Sequence, residues 1–192
     1  MTDTQSLGLF PLQTVLVPGA TLGLRVFESR YLDLVRECGR TGEGFGICLV
    51  LQGSEAGAPA VPVAFGTEAR IEDFGTNDEG LLILRVRGVR RFHVRHTRVR
   101  GNGLLVGEVE WRAVDPVEPL QPQHALLATL LQRILEKIGA GELGIGEERF
   151  DDAAWVSWRL AEVLPLADRQ RQVLLQEDDP HVRLEQLLGL IA

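Results

Sequence analysis

A basic segment near the middle of the chain holds the strongest concentration of side chains that could do chemistry. Between Arg85 and Arg100 there are seven arginines, two histidines and no acidic residue, although the chain carries a net charge of −7. Clustered arginines suit phosphate groups, so nucleic-acid binding is one hypothesis for this segment. The side chains that could share one outward face over two adjacent strands are Arg85, Arg87, Arg91, His93 and Arg95. The competing interpretation is a solvent-exposed sheet face paired with acids such as Glu108 and Glu110.

Few other residues are placed for catalysis. His93 and His96 are three positions apart, and on a strand this spacing puts them on opposite faces, which argues against a shared metal ion. We expect a surface His93 and a partly buried His96. Lys137 is the only lysine, and the sequence has no GxxxxGK[ST] phosphate loop. The sequence therefore predicts no catalytic residue, no metal and no cofactor. The alternative is an enzyme whose pocket is assembled from residues distant in sequence.

The two cysteines indicate the compartment. Cys38 and Cys48 form no CxxC motif, so we expect two small buried hydrophobes, with a redox pair as the alternative. No apolar run approaches the ~20 residues that would span a bilayer. The N-terminus also lacks the basic start of a signal peptide. These features predict a cytoplasmic protein with no membrane partner.

Two strands and a helix are predicted near the N-terminus. Residues 15–17 are a short apolar run, and residues 22–26 alternate apolar and other residues as a strand with one buried face does. A helix is predicted from near Ser29, with Gly39 as its left-handed C-cap.

Further strand patterns fill the middle of the chain. Residues 45–51 read as a strand buried on both faces, and residues 52–62 as a loop. Residues 63–74 predict the next strand. Residues 81–89 and 91–99 predict two more, joined by a bend at 88–90.

Asn102-Gly103 predicts a type I′ hairpin turn, which needs positive φ at both central residues. That turn would place Val94 opposite Trp111, Arg95 opposite Glu110, and His96 opposite Val109. The side chains predicted to face inward are Phe92, Val94, Val109 and Trp111.

The composition changes after Ala113. Residues 115–123 are polar and rich in proline, which is typical of a stiff linker. Four helical patterns follow, the first over residues 124–138. We expect Asp151 or Asp152, then Asp168, and then Asp179 followed by proline, to cap the other three. His124 and His181 are read as isolated residues in first helical turns.

A long string of positions near the N-terminus carries a family resemblance. They are Phe10, Pro11, Leu12, Val15, Leu16, Pro18, Gly19, Leu22, Leu24, Val26, Phe27, Glu28, Arg30 and Tyr31. In this string the chain closely resembles the Lon substrate-binding domain, which begins Lon proteases and also occurs alone in bacteria. Gly23 departs from the pattern, because the family commonly has proline there. Residues 45–50, 66–67, 88–92 and 155–184 also resemble the family, so the resemblance covers nearly the whole chain.

The resemblance implies a barrel-like β fold of the kind shared with PUA domains. Combined with the residue patterns, it predicts an α+β protein. Residues 1–114 would form a six-stranded PUA-like β-barrel with one helix, residues 115–123 a linker, and residues 124–192 a small helical bundle.

The resemblance also implies a function. We expect a free-standing, non-enzymatic module without the ATPase and protease parts of Lon, which binds unfolded polypeptide segments or a protein partner. The candidate peptide-binding residues are Phe10, Pro11, Val17, Phe27, Glu28, Arg30 and Tyr31. For the apolar residues the alternative is buried core. For Glu28 and Arg30 it is a local role at the start of the helix.

Overall fold

Six β-strands and one α-helix make up the first part of the molecule. The computed structural model describes residues 3–52 and 61–192, and the chain divides into residues 1–112, the sheet unit, and residues 113–192, the helical unit. The strands are β1 (Thr4–Leu12), β2 (Thr21–Val26), β3 (Phe45–Gln52), β4 (Val61–Thr76), β5 (Leu82–Val99) and β6 (Leu105–Trp111), and the helix is α1 (Ser29–Thr41). The α+β class and the six strands are as predicted. The domain boundaries given above stay a prediction.

The sheet is built on β5. The hydrogen-bonded strand order is β2-β5-β4-β3-β1-β6, and β5 pairs additionally with β6. Residues 82–87 of β5 pair with β2, and residues 92–99 pair with β6. β1 is parallel to β3 and antiparallel to β6. Strand pairing therefore runs from β5 through β4, β3, β1 and β6 and back to β5. The barrel-like and PUA-like character of the sheet stays a prediction.

Residues 15–17 do not form the predicted first strand, which lies earlier in the chain as β1. Their backbone serves a turn instead, because the Val17 carbonyl accepts a hydrogen bond from the Ala20 N–H. The Leu16 carbonyl accepts one from the Thr67 hydroxyl at 2.6 Å. Leu16 and Val17 are nonetheless buried. The run is apolar because it fills the core, although it pairs with none of the described strands.

The predictions for β2 and α1 are confirmed in type and position. In β2, Leu24 and Val26 are buried and alternate with exposed neighbours. α1 begins at Ser29, as expected. Its left-handed C-cap is Gly42, with φ 74°, and the prediction of Gly39 is wrong because that residue lies inside the helix.

β3 confirms the prediction of a strand buried on both faces, since residues 45–49 are all buried. The predicted loop over residues 52–62 falls mainly on residues 53–60, which lie outside the described residues. Gln52 and Val61 belong to β3 and β4.

β5 is one strand of 18 residues, where the sequence predicts two strands joined by a bend. The bend corresponds to a register shift against β4, between the pairs made by Thr67 and Ala69. A Cβ atom on Gly88 would lie 2.4 Å from the Val17 carbonyl oxygen, so the two backbones approach closely only because this residue is glycine.

The hairpin between β5 and β6 has a longer turn than predicted. The Gly103 N–H donates to the Arg100 carbonyl at 2.9 Å, which makes Gly101 and Asn102 the central residues of the turn. Gly103 then takes φ 88°, and Asn102 has no positive φ. The type I′ prediction is wrong, and the geometry is that of a turn followed by a left-handed glycine.

The longer turn, together with a register shift between Val94 and His96, changes the pairing of the two strands. Val94 faces Val109 where Trp111 was predicted, and His96 faces Glu108 where Val109 was predicted. Phe92, Val94 and Val109 are buried as expected, with Trp111 packed against them. They belong to an apolar cluster formed by Leu7, Leu9, Cys48, Phe92, Val94, Leu105 and Val109. The inward face was thus predicted correctly although the pairing was not.

Four further helices form the helical unit. They are α2 (Ala125–Lys137), α3 (Ala153–Val163), α4 (Asp168–Gln176) and α5 (Pro180–Ile191). The side chain of Asp152 accepts hydrogen bonds at the start of α3, and that of Asp179 accepts one at the start of α5, as predicted. Asp168 is not a cap, because the N-cap of α4 is Ala167. Among the described residues, no helix is both long and apolar enough to cross a membrane.

A buried arginine lies inside the helical unit. Arg183 is fully buried and contacts the Asp115 carboxylate, the Ser157 hydroxyl and the Glu177 carbonyl at 2.8–2.9 Å. Its guanidinium also lies 3.5 Å from the centre of the Trp158 ring. Asp115, which the sequence places in a linker, is therefore held within the helical unit.

His124 and His181 are neighbours, so their reading as isolated residues is wrong. Their rings are stacked with centroids 6.1 Å apart. Nε2 of His124 lies 2.5 Å from Glu185, and Nε2 of His181 lies 2.9 Å from Glu118. His124 is the N-cap residue of α2 and His181 lies in the first turn of α5, so the starts of these two helices bring the pair together.

Candidate functional site

An apolar groove runs along β2. It encloses about 390 Å³ and is named the β2 groove. The residues that line it are Phe10, Leu12, Thr14, Leu22, Gly23, Leu24, Arg25, Phe27, Glu28 and Tyr31. β1, β2, the start of α1 and the connection between β2 and α1 all contribute. Its floor is mostly aliphatic and aromatic, as expected of a site that binds apolar groups.

Two stacked rings form one wall of the β2 groove. Phe10 on β1 and Tyr31 on α1 are both buried, and their ring centroids are 4.0 Å apart with planes 14° from parallel. Phe45 packs behind them, with its centroid 6.1 Å from that of Phe10. The wall is thus supported by the core and does not need a ligand to hold its shape.

Phe27 is the exposed aromatic of the groove. It follows the last residue of β2 directly, and 59% of its surface is accessible to solvent. A large apolar side chain that is left exposed beside a preformed apolar cavity has area to bury against a ligand. Phe27 therefore combines accessibility with a position in the groove lining.

Glu28 and Arg30 form an ion pair at the start of α1. Their side chains approach to 2.8 Å, and Arg30 also donates to the Gly103 carbonyl at 3.3 Å. Glu28 lines the β2 groove whereas the guanidinium of Arg30 lies over the Tyr31 ring, 4.9 Å from its centre. The pair therefore fixes the helix start against the β5–β6 turn, and it leaves one carboxylate at the groove.

The structure brings together four of the seven predicted peptide-binding residues. Phe10, Phe27, Glu28 and Tyr31 line the β2 groove. Pro11 and Val17 are buried, and with Arg30 they lie outside the lining. A contact between any of the seven and a ligand stays a prediction.

The β2 residues that line the groove are not among the predicted peptide-binding residues. Leu22 and Leu24 were read only as the buried face of a strand. Their alternation was the available signal, because a strand at the edge of a sheet can present a half-buried face to a ligand. Leu22 is indeed partly exposed.

The outer edge of β2 carries backbone groups that no other strand covers within the described residues. β2 pairs with β5 alone. The N–H of Gly88, in β5, donates to the carbonyl of Ala20, the residue just before β2, at 2.9 Å. Hydrogen bonding alternates along an antiparallel strand, so the even-numbered residues of β2 are the ones bonded to β5. The N–H and C=O groups of Thr21, Gly23 and Arg25 consequently point to the free edge, and these three residues are exposed.

A second depression of about 610 Å³ lies beside the C-terminal half of α1. Its lining includes Val35, Cys38, Ile71, Phe74 and Leu84. Phe74 has 75% of its surface exposed. It therefore provides an exposed phenylalanine in the same unit, outside the β2 groove.

The predicted arginine face is only partly formed. Arg85 lies 3.6 Å from Glu72, and Arg87 is bonded to the same carboxylate. The Arg87 guanidinium holds the pKa of Glu72 below its usual range, with Arg85 adding to the effect. Arg91 is 5% exposed, so the prediction that it faces outward is wrong. Four positions along, Arg95 is exposed and paired with Glu110 at 2.7 Å, which raises the pKa of Arg95.

The histidines of β5 have exchanged roles relative to their predictions. His93 is half-buried and its ring stacks on Phe65 with centroids 4.5 Å apart, whereas His96 is exposed. Within the part of the chain that the structure describes, no group of three or more His, Cys, Asp or Glu side chains is arranged to hold a metal ion.

Both cysteines are free and buried, which confirms their reading as small core residues. Burial raises the pKa of Cys38 to about 11, and the nearby Glu37 and Glu43 carboxylates add to the shift. Burial alone raises the pKa of Cys48 to about 12. Both thiols are therefore weak nucleophiles in the folded protein.

Comparisons with known proteins agree with this architecture. A crystal structure of a Lon N-terminal domain protein from Xanthomonas campestris is similar, with 58% sequence identity and a TM-score of 0.82. The match covers 96% of this chain and 98% of that one. The N-terminal domain of the Mycobacterium avium complex Lon protease shares the fold at 19% identity and a TM-score of 0.68, covering 96% of this chain and 97% of that one. No curated protein matches the chain.

A family model extends the comparison over nearly all of the sequence. The model of the ATP-dependent protease La (LON) substrate-binding domain matches residues 6–192. That span includes β2 and its groove, the arginines of β5 and all four helices of the helical unit. On this match, the chain belongs to the Lon substrate-binding domain family.

Proposed function

We propose that this protein is a non-enzymatic module that binds unfolded polypeptide segments through the β2 groove. The observation that carries the proposal is the preformed apolar groove with Phe27 exposed at its margin. Family membership supports it, because the family is described by substrate binding. An unfolded polypeptide differs from a folded one chiefly in showing apolar side chains to solvent, and these are what such a groove accepts.

The dimensions of the groove fit a side chain better than a whole folded surface. Its volume of about 390 Å³ lies at the lower end of the range typical of small-molecule pockets. It is therefore suited to one or two aliphatic or aromatic side chains from an extended segment. Glu28, which also lines the groove, supplies a polar group beside the backbone and charged neighbours of those side chains.

We place this binding in the cytoplasm. Cys38 and Cys48 are both free, and a reducing compartment maintains cysteines in that state.

No specific observation favours nucleic-acid binding by the arginine face. Of its five residues, Arg85, Arg87 and Arg95 contact carboxylates, and Arg91 is buried. His93 stacks on an aromatic ring. Polypeptide binding is therefore the single function that we propose.

Binding of a permanently unfolded protein tests the proposal. Reduced and carboxymethylated α-lactalbumin carrying a fluorescent label is titrated with the protein, and the anisotropy is recorded. We expect saturable binding that Phe27→Ser weakens about tenfold or more, because burying a phenylalanine contributes about 1.5–3 kcal/mol.

Phe74→Ser is the matched control, since it removes an even more exposed phenylalanine from the same unit. It should leave the affinity within about twofold. Absence of binding, or equal effects of the two substitutions, would contradict a role for the β2 groove.

A further inference from the structure

We infer that the bound segment adds to the sheet as an extra strand along the free edge of β2, and that it alternates apolar with acidic residues. This inference rests on the proposed function, and it specifies how the segment is held and which sequences are preferred.

The backbone geometry of β2 supports strand addition. The N–H and C=O groups of Thr21, Gly23 and Arg25 point away from β5, so an extended segment could hydrogen-bond with all three residues. The β2 groove lies along this same edge, since Gly23 and Arg25 are part of its lining. A polypeptide chain has the alternating donors and acceptors that this edge requires.

The two faces of β2 differ, and this difference selects the alternation. An added strand directs successive side chains to opposite faces of the sheet. On one face they would meet Leu22, Leu24 and the rings of Phe10 and Tyr31. These contacts require apolar residues at every second position of the bound segment.

The opposite face beside the edge is positively charged. The register places Gly23 opposite Arg85 and Thr21 opposite Arg87, so Arg25 shares a face with both of these arginines. Glu72 is the carboxylate in contact with Arg85 and Arg87, and Arg25 is exposed with no ion pair among the described residues. Asp73 of β4 is aligned with Arg85, so three arginines face two carboxylates, and the remaining positive charge complements acidic side chains at the intervening positions.

Gly23 offers a direct test of the backbone contact. Nothing but the Leu84 carbonyl oxygen, at 4.0 Å, lies within reach of a Cβ atom built on Gly23, so this edge has room for a substitution. Gly23→Pro removes the central N–H of the free edge, whereas Gly23→Ala keeps it. The pair separates loss of the hydrogen bond from a simple change of side chain.

The probes are two fluorescein-labelled heptapeptides, one alternating Glu with Leu and one alternating Lys with Leu. We expect the Glu-Leu peptide to bind at least about fivefold more tightly than the Lys-Leu peptide. Gly23→Pro should weaken binding of the Glu-Leu peptide about fivefold or more, whereas the affinity of Gly23→Ala for this peptide should stay within about twofold of that of the wild type. Arg25→Glu should abolish the preference for Glu over Lys.

A Glu-Leu peptide N-methylated at its leucines and, separately, at its glutamates provides a test that does not depend on the folding of Gly23→Pro. One of the two should lose binding, because only one edge of an added strand faces β2. Equal binding by both methylated peptides, or by the wild type and a folded Gly23→Pro, would overturn strand addition. If carboxymethylated α-lactalbumin still binds in a Phe27-dependent manner, the proposed function survives that result, whereas loss of that binding defeats both.

Discussion

The sheet unit and the helical unit are held together by different kinds of interaction. The central cluster of the sheet unit is apolar, with Leu9, Phe92 and Val109 fully buried. In the helical unit the fully buried Arg183 contacts Asp115 and Ser157. Backbone ladders fix strand positions in a sheet, so its core needs only to fill space. Packed helices have no such ladder between them, and a directional polar network can set their positions instead.

Arg183→Met should produce the largest loss of stability. It removes the buried cation that pairs with the Asp115 carboxylate, and breaking a buried ion pair in this way costs about 3–5 kcal/mol. Urea unfolding followed by tryptophan fluorescence measures the loss. Arg169→Met is the control, because Arg169 is exposed on α4 with no ion pair among the described residues. A loss below about 1 kcal/mol for Arg183→Met would show that the network does not fix the helices.

Leu9→Ala should destabilise the sheet unit by about 2–5 kcal/mol, because Leu9 is fully buried in the apolar cluster and its truncation leaves a cavity. Leu9→Met keeps the volume and should cost less than about 1.5 kcal/mol. Urea unfolding compares the two. Arg183→Lys provides the contrast, since lysine cannot reproduce the planar contacts of arginine. Similar costs for Leu9→Met and Arg183→Lys would remove the distinction between the units.

Thiol labelling reports opening of the sheet unit specifically, because both cysteines belong to it. The pKa of Cys38, raised from 9.0 to about 11, lowers its thiolate fraction about a hundredfold at pH 8, and the pKa of Cys48, raised to about 12, lowers it further. We expect a disulfide reagent to label both thiols slowly in the native protein and rapidly in urea.

The same raised pKa values link stability to alkaline pH. The contribution of the two thiols to stability is fully present below pH 9 and is lost as the pH rises towards the folded-state values of about 11 and 12.

Thiol labelling of Arg183→Met adds a test of the domain prediction. Acceleration of thiol labelling in step with unfolding of the helical unit would contradict separate domains.

Glu72→Gln should have the smallest effect. Its lowered pKa means that the Glu72 carboxylate contributes stability above about pH 4.5 and that this contribution is lost as the pH falls through the folded-state value. Because the group is exposed, we expect only a slight flattening of the acid limb of stability, measured by thermal unfolding between pH 3 and 7. Asp78→Asn, in an exposed turn, is the control. A larger change for Asp78→Asn would contradict the pairing of Glu72 with Arg85 and Arg87.

The sequence predicts the helices and strands of each unit better than it predicts the contacts that these elements make within their own unit. The alternation in β2 and the Asp179-Pro180 start of α5 are local signals, and both predictions are confirmed. The strand predicted over residues 15–17 is wrong because an apolar run fills a core equally well from a turn. His124 and His181 lie far apart along the chain, and no local pattern signals their stacking.

The candidate site shows the same limit. Phe10, Phe27 and Tyr31 were selected through a resemblance, and they line the β2 groove. Leu22 and Leu24 were recognisable as one face of a strand, but the free edge of β2 depends on the strand order of the whole sheet. The burial of Arg91 could not be predicted either, because a register shift between β4 and β5 changes which side chains turn inward.

The pairing of β1 with β6 has a consequence for biosynthesis. Thr4 is aligned with Glu110, so the first strand cannot complete its pairing until the last strand of the sheet has been translated. At ribosomal rates of 5–20 residues per second, the delay amounts to about 5–20 s. During that interval residues 4–8 of β1 lack their partner strand, and chaperones that engage emerging chains would encounter this edge unpaired.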